Sequence, residues 1–143
     1  MDLINNAKNK MIESEFSCFA YLKIGEYTSR YSGIRPLLQP LNKDKTFFED
    51  AIVIDKVIGK SAAFLLIYGK VKKVHAFVMS IHAKNLLELH NIDYSYDKLV
   101  PYIENNTKTD MCPMEKTVLK IEDVNEALNA LNRKVDELMK KRD

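Results

Sequence analysis

One stretch, AIVIDKVIGKSAAFLLIYG from Ala51 to Gly69, constrains the fold of this chain more than any other. Ile52, Val53 and Ile54 follow one another without a polar break, as in a strand covered on both faces. Ala62, Ala63, Phe64, Leu65, Leu66 and Ile67 leave the next helix no polar side, so it has to be buried. Asp55 stands where a helix N-cap would, its carboxylate able to accept from free first-turn amides, and Gly69 reads as the C′ stop. A buried strand feeding a buried helix points to an α/β fold. In such folds ligands gather at the strand end, where amides and the helix dipole converge.

The rest of the chain reads as a frame for that unit. Residues 2–13 have the apolar spacing of a short amphipathic helix, with Leu3, Ile4, Ala7, Met11 and Ile12 on one side. Ser17 to Ile24 and Tyr27 to Tyr31 read as a hairpin turning at Gly25-Glu26. Ser32 or Gly33 caps a short helix carrying Leu37, Leu38 and Leu41, with Pro36 in its first turn. Asn42 to Asp50 is a loop pinned by Phe47 and Phe48. Val74 to Met79 is a second strand, Ser80 caps a helix from Ile81 to His90, and Asn91 ends it. Ile92, Tyr94 and Tyr96 alternate as in an edge strand, Asp97 to Ile103 reads as a turn or short helix, and Thr117 to Ile121 as a last strand. Asp123 and Glu126 have capping-box spacing. The helix they open carries Val124, Leu128, Leu131, Val135 and Leu138, a coiled-coil-like seam that invites a homodimer. The expectation is a single domain over 1–143, with a core at about 15–122 and a C-terminal helix at about 124–141.

Composition excludes several classes. At 143 residues with 46% hydrophobic content, the chain is long enough for one real core. Its 22 basic and 20 acidic residues leave a net charge of +2, too balanced for bulk nucleic-acid binding. The apolar run near Ala62 to Tyr68 is much too short for a membrane span, and the first residues hold no apolar signal core. Cys18 and Cys112 form no CxxC, which suits a reduced compartment; a cytoplasmic location is the expectation.

Four groups bear on chemistry. Gly59-Lys60-Ser61 has the tail of a phosphate-binding loop, but the leading Gly of that loop is replaced by Ile54, which argues against a P-loop nucleotide triphosphatase. His75, His82 and His90 lack metal-ligand spacing. Asp55, Lys56 and Lys60 crowd the strand–helix junction. Lys60, one turn into an otherwise apolar helix, needs a partner there, either Asp55 or a bound anion. Cys112-Pro113-Met114-Glu115 is a second compact group, in which Cys112 is a candidate nucleophile without an evident base.

The motifs SGIRPLL, DKVIGKSAA and CPME together resemble a group of uncharacterised prokaryotic domains placed in the cytidine deaminase-like superfamily, over about Cys18 to Leu131. The resemblance implies a three-layer α/β/α domain in which a hairpin leads into a mixed sheet. Zinc deaminases of that superfamily carry H/C-x-E at one helix start and P-C-x-x-C at the next. By order of elements those positions fall at Ser32-Gly33-Ile34 and Lys56 to Lys60, where no His, Cys or Glu stands. No zinc and no other cofactor are therefore expected, with the Lys60 ammonium taking the place of the metal's charge.

These readings converge on one pocket formed by Ser32, Asp55, Lys56, Lys60, Cys112 and Glu115. A metal-free domain binding a nucleotide or another small anionic metabolite is the leading reading. An enzyme using Cys112 as nucleophile, and an interaction protein working through its C-terminal helix, are the alternatives; the sequence leaves turnover open.

Overall fold

The computed structural model describes residues 2–142. The elements follow in the order α1 (Leu3–Ser14), β1 (Cys18–Leu22), β2 (Gly25–Ser29), α2 (Arg35–Lys43), β3 (Ile52–Ile58), α3 (Lys60–Tyr68), β4 (Lys73–Ser80), α4 (Ile81–Leu89), β5 (Asp93–Val100), α5 (Pro113–Val118) and α6 (Val124–Arg142). Five strands form one mixed sheet in the order β2-β1-β3-β4-β5. The β1–β2 hairpin is antiparallel, and β1 also runs antiparallel to β3. Parallel pairing then carries the sheet through β4 to β5, with α3 and α4 as the crossovers.

Alternation along the strands sends side chains to two unequal faces. On one, Phe19 and Ile54 pack against Ala7 and Met11 of α1, which stands alone there among the described residues. On the other, Ala20, Val53 and Ala76 join Leu37 of α2, Phe64 and Leu65 of α3, Leu87 of α4, Val118 of α5 and Leu131 of α6 in one continuous core. The α3 side chains from Ser61 to Leu66 are all buried, as a helix apolar on every side requires. Leu128 and Leu131 of α6 are buried too, with Val124, Val135 and Leu138 packed partly against the same core. The apolar seam of α6 is thus covered by its own domain, which removes the reason for an interface along it.

Several boundaries differ from the sequence reading. β3 does not stop before Asp55: Asp55 pairs with Cys18 of β1 and Ala76 of β4, and the strand runs on to Ile58. The N-cap of α3 is Gly59, which offers no side-chain bond, and Lys60 is the first helical residue rather than one turn inside. The charged pair Asp55-Lys56 resembles a strand terminator, but Val57 and Ile58 continue the apolar pattern and Gly59 supplies the break. Gly69 caps α3 with negative φ, and the left-handed step falls on Lys70 at φ 56. The hairpin turns at Lys23-Ile24, not Gly25-Glu26. Neither Ser32 nor Gly33 caps α2; Ile34 holds that position without a side-chain bond. Residues 97–100, expected as a turn or short helix, belong to β5.

The expected last strand over Thr117 to Ile121 is instead the end of α5 and the turn after it. Thr117 and Val118 are β-branched, but Pro113 opens a helix and the burial of Met114, Glu115 and Val118 holds it. Other signals have their expected partners. The Ser80 hydroxyl accepts the Ala83 N–H at 3.1 Å, Asp123 accepts the Glu126 N–H at 2.8 Å, and Asn91 takes the left-handed conformation. No helix among the described residues is long and apolar enough to cross a membrane.

Candidate functional site

Extending β3 to Ile58 carries its end toward the starts of α2, α3 and α5. Between them lies a cavity of about 330 Å³. Five of the six predicted site residues line it: Ser32, Asp55, Lys56, Cys112 and Glu115. Lys60 does not. Its ammonium donates to the Leu119 carbonyl at 2.7 Å, closing the end of α5, and lies 5.7 Å from the centroid of the Phe64 ring. Burial lowers the Lys60 pKa, while Glu122 and then Glu115 raise it. The partner that the sequence required for Lys60 is a helix-end carbonyl, not Asp55.

Asp55 is 4% exposed and sits on the sheet face that carries α3. Its Oδ1 accepts the Val57 N–H at 3.4 Å, a long bond, and its buried Oδ2 has no partner among the described residues. Burial pushes its pKa up to about 7, against the lowering effect of the Val57 and Lys56 amides. Across the β1–β3 pairing, Cys18 is fully buried, and burial and then the Asp55 charge push its thiol well up. Such a thiol is a packed hydrophobe rather than a nucleophile. Tyr27, whose hydroxyl donates to the Pro36 carbonyl at 2.7 Å, is pushed up to about 12, chiefly by burial.

Glu115 has a different task. At 1% exposure, its Oε1 accepts the Lys60 N–H at 3.0 Å and the Ser80 hydroxyl at 2.5 Å, while Oε2 accepts the Ile103 N–H at 2.5 Å. The Ser80 oxygen in turn caps α4. One carboxylate therefore ties together the starts of α3, α4 and α5 and the loop after β5. Gly59 makes room for it, since a Cβ there would lie 2.9 Å from Ile103 Cγ1 and 3.2 Å from Glu115 Oε1. Cys112, half-buried, donates its backbone N–H to the Ile103 carbonyl at 2.7 Å.

The sequence reading missed the hairpin's contribution. Glu15, Ser17 and Arg30 line the cavity from the α1–β1 turn and the end of β2. The Ser17 hydroxyl donates to the Ser29 and Tyr31 carbonyls at 3.0 and 2.6 Å. Arg30 Nε donates to the Ser14 carbonyl at 3.1 Å, with its guanidinium 4.6 Å from the Phe16 ring centroid. No spacing marks these residues, because the β1–β3 pairing alone brings them to the site. On the opposite face, His75 meets the Ser95 hydroxyl at 2.7 Å and Asp97 at 3.2 Å, and Asp97 pairs with Lys8 of α1 at 2.7 Å. Burial lowers the His75 pKa, Asp97 raises it, and the group closes the seam between α1 and the sheet. Among the described residues no group of three or more His, Cys, Asp or Glu is placed to hold a metal ion.

No curated protein matches the chain. Among solved structures, a DUF1893 family protein (TM1506) from Thermotoga maritima is similar, with a TM-score of 0.84 and 30% identity over 92% of this chain and 89% of that one. The family described as TM1506: Domain of unknown function (DUF1893) matches residues 6–135, nearly the whole length, and the chain belongs to that family.

Proposed function

We propose that the chain is a small-molecule-binding domain on a deaminase-like scaffold, with its site in the cavity between the end of β3 and the start of α3. The hairpin leading into a mixed sheet with helices on both faces supports the deaminase-like reading. The start of α3, Gly59-Lys60-Ser61-Ala62, is as free of Cys and His as the positions read from the sequence, which supports ligand binding without zinc. The observation that carries the proposal is the orphaned Asp55 Oδ2 beside a cavity of ligand size. A buried polar side-chain atom without a partner is costly, and among the described residues Asp55 Oδ2 is the one such atom. A ligand hydrogen-bond donor would remove that cost.

Nucleotides and small anionic metabolites remain the class to test, now held by the α3 amides rather than by Lys60. A thermal-shift screen with nucleotides, sugar phosphates and carboxylates is expected to yield a stabilising compound. Stabilisation should reach about 2.7 kcal/mol at a hundredfold excess over Kd. The response should be lost in Asp55→Asn and kept in Lys60→Ala; the reverse pattern would return the site to Lys60. Cys112 lines the same cavity, but among the described residues no histidine or lysine hydrogen-bonds to it, so binding is favoured over nucleophilic catalysis.

A further inference from the structure

Asp55 and the first turn of α3 present opposite chemistry to one cavity. Of the first-turn amides, Lys60 N–H is taken by Glu115, and Ala63 N–H already bonds the Gly59 carbonyl. The amides of Ser61 and Ala62 have no acceptor among the described residues, and both residues line the cavity. They carry the positive end of the helix dipole, which favours an anion. Lys56 and Arg30 add positive charge to the lining, and Glu15 opposes them. Asp55 supplies the independent requirement: a carboxyl nine-tenths buried and more, with one oxygen unbonded and the other held only at 3.4 Å. Rotation of the carboxyl about its Cβ–Cγ bond, a broad torsion, presents either oxygen to the cavity.

We infer that the cavity takes a bifunctional ligand, with an N–H-bearing amine or amidine group against Asp55 and an anionic group against the amides of Ser61 and Ala62. The inference rests on the binding role proposed above and assigns the two ends of the ligand. Once ionised, the Asp55 carboxyl has acceptors and no donors, which matches N–H groups, and charge-assisted bonds of that kind are the strong ones. A metal cation is the poorer fit. Glu115 has both oxygens already bonded, to Lys60, Ser80 and Ile103, and among the described residues no three His, Cys, Asp or Glu are placed to hold a metal ion. Val57, Ala62 and Ile103 give the cavity apolar walls for the skeleton joining the two groups.

Three probes, used at pH 8 where the Asp55 carboxyl is ionised and the pyridines are neutral, separate the ends: 2-aminopyridine, which carries N–H donors, 2-methylpyridine, which lacks them, and inorganic phosphate. Each is titrated into the full-length chain while backbone amide resonances are followed by NMR. Expected are shifts at Val57 with 2-aminopyridine, and binding about tenfold or more weaker for 2-methylpyridine and for 2-aminopyridine with Asp55→Asn, the loss of one charge-assisted bond. Phosphate should shift Ser61 and Ala62 in the wild type and in Asp55→Asn alike, and should not displace 2-aminopyridine. Equal binding of the two pyridines, which needs no variant, overturns the assignment, as do phosphate shifts confined to other residues. If none of the probes binds while the thermal-shift screen still gives an Asp55-dependent response, the bifunctional ligand is wrong and the binding site stands. Silence in both overturns both.

Discussion

Asp55 keeps its proton to an unusual pH because the fold removes it from water without giving it a cation. Cys18 faces it from β1, the Lys56 and Val57 amides act on it from its own strand, and Tyr27 adds a weak electrostatic contact from β2. In the unfolded chain its carboxyl ionises near 3.8, and in the fold at about 7. A folded pKa above the unfolded one means that the folded state holds the extra proton between those values. The stabilising contribution is complete below about pH 3.8 and is lost as pH rises through 7. Asp55→Asn cannot ionise, so it should be more stable than the wild type at pH 8, by up to about 4 kcal/mol, and the difference should shrink toward pH 4. Urea unfolding at a series of pH values measures this. A variant less stable by the same amount at every pH would mean that the carboxylate is already paired.

At the scale of elements, the site is held by one carboxylate and one helix. Glu115 joins three helix starts and a loop through three hydrogen bonds. Glu115→Ala leaves those donors without an acceptor and should cost about 3 kcal/mol or more, whereas Glu115→Gln, which keeps an acceptor oxygen, should cost less. Denaturant unfolding gives both values, and equal losses would show that the side chain acts by volume alone. α3 behaves as a core element on every side. Leu65→Ala or Leu66→Ala should cost roughly 2–5 kcal/mol, the range for large-to-small changes in a close-packed interior. A loss at both positions below about 0.5 kcal/mol, the surface range, would contradict the burial.

For the molecule as a whole, α6 is part of the fold. Ala127, Leu128 and Leu131 are buried in the main core beside α3 and α5. Ending the chain at Asp123 would strip that cover and expose a continuous apolar surface. The truncated chain should lose its cooperative thermal transition or associate, as large exposed apolar patches do. Circular dichroism on heating and sedimentation check this; a sharp transition at the wild-type temperature would show α6 to be an appendage. The α1 side is thinner. Among the described residues one helix covers that face of the sheet, fastened by Met11 and Ala7 and by the Lys8–Asp97–His75 contacts.

What the sequence determined by itself is the local physics. The apolar run at Ile52 to Ile54, the all-round apolar helix at Ala62 to Leu66, the Ser80 and Asp123 caps and the left-handed Asn91 were all legible, because each depends on neighbours a few residues away. Five residues singled out by local charge and capping patterns, Ser32, Asp55, Lys56, Cys112 and Glu115, do line one cavity, although Asp55 and Lys56 lie inside β3 and not at the strand–helix break that the sequence suggested. Only the tertiary structure decided which way the charged groups turn. Lys60 needed a partner, and the partner lies at the end of a helix that the sequence reads as a strand. Asp55 looked like a cap because Asp is a good one, but the β1 and β4 pairings on either side draw it into the sheet, and burial there sets its protonation. Ser17 and Arg30 reach the cavity through the β1–β3 register, a contact across dozens of residues that no local pattern encodes.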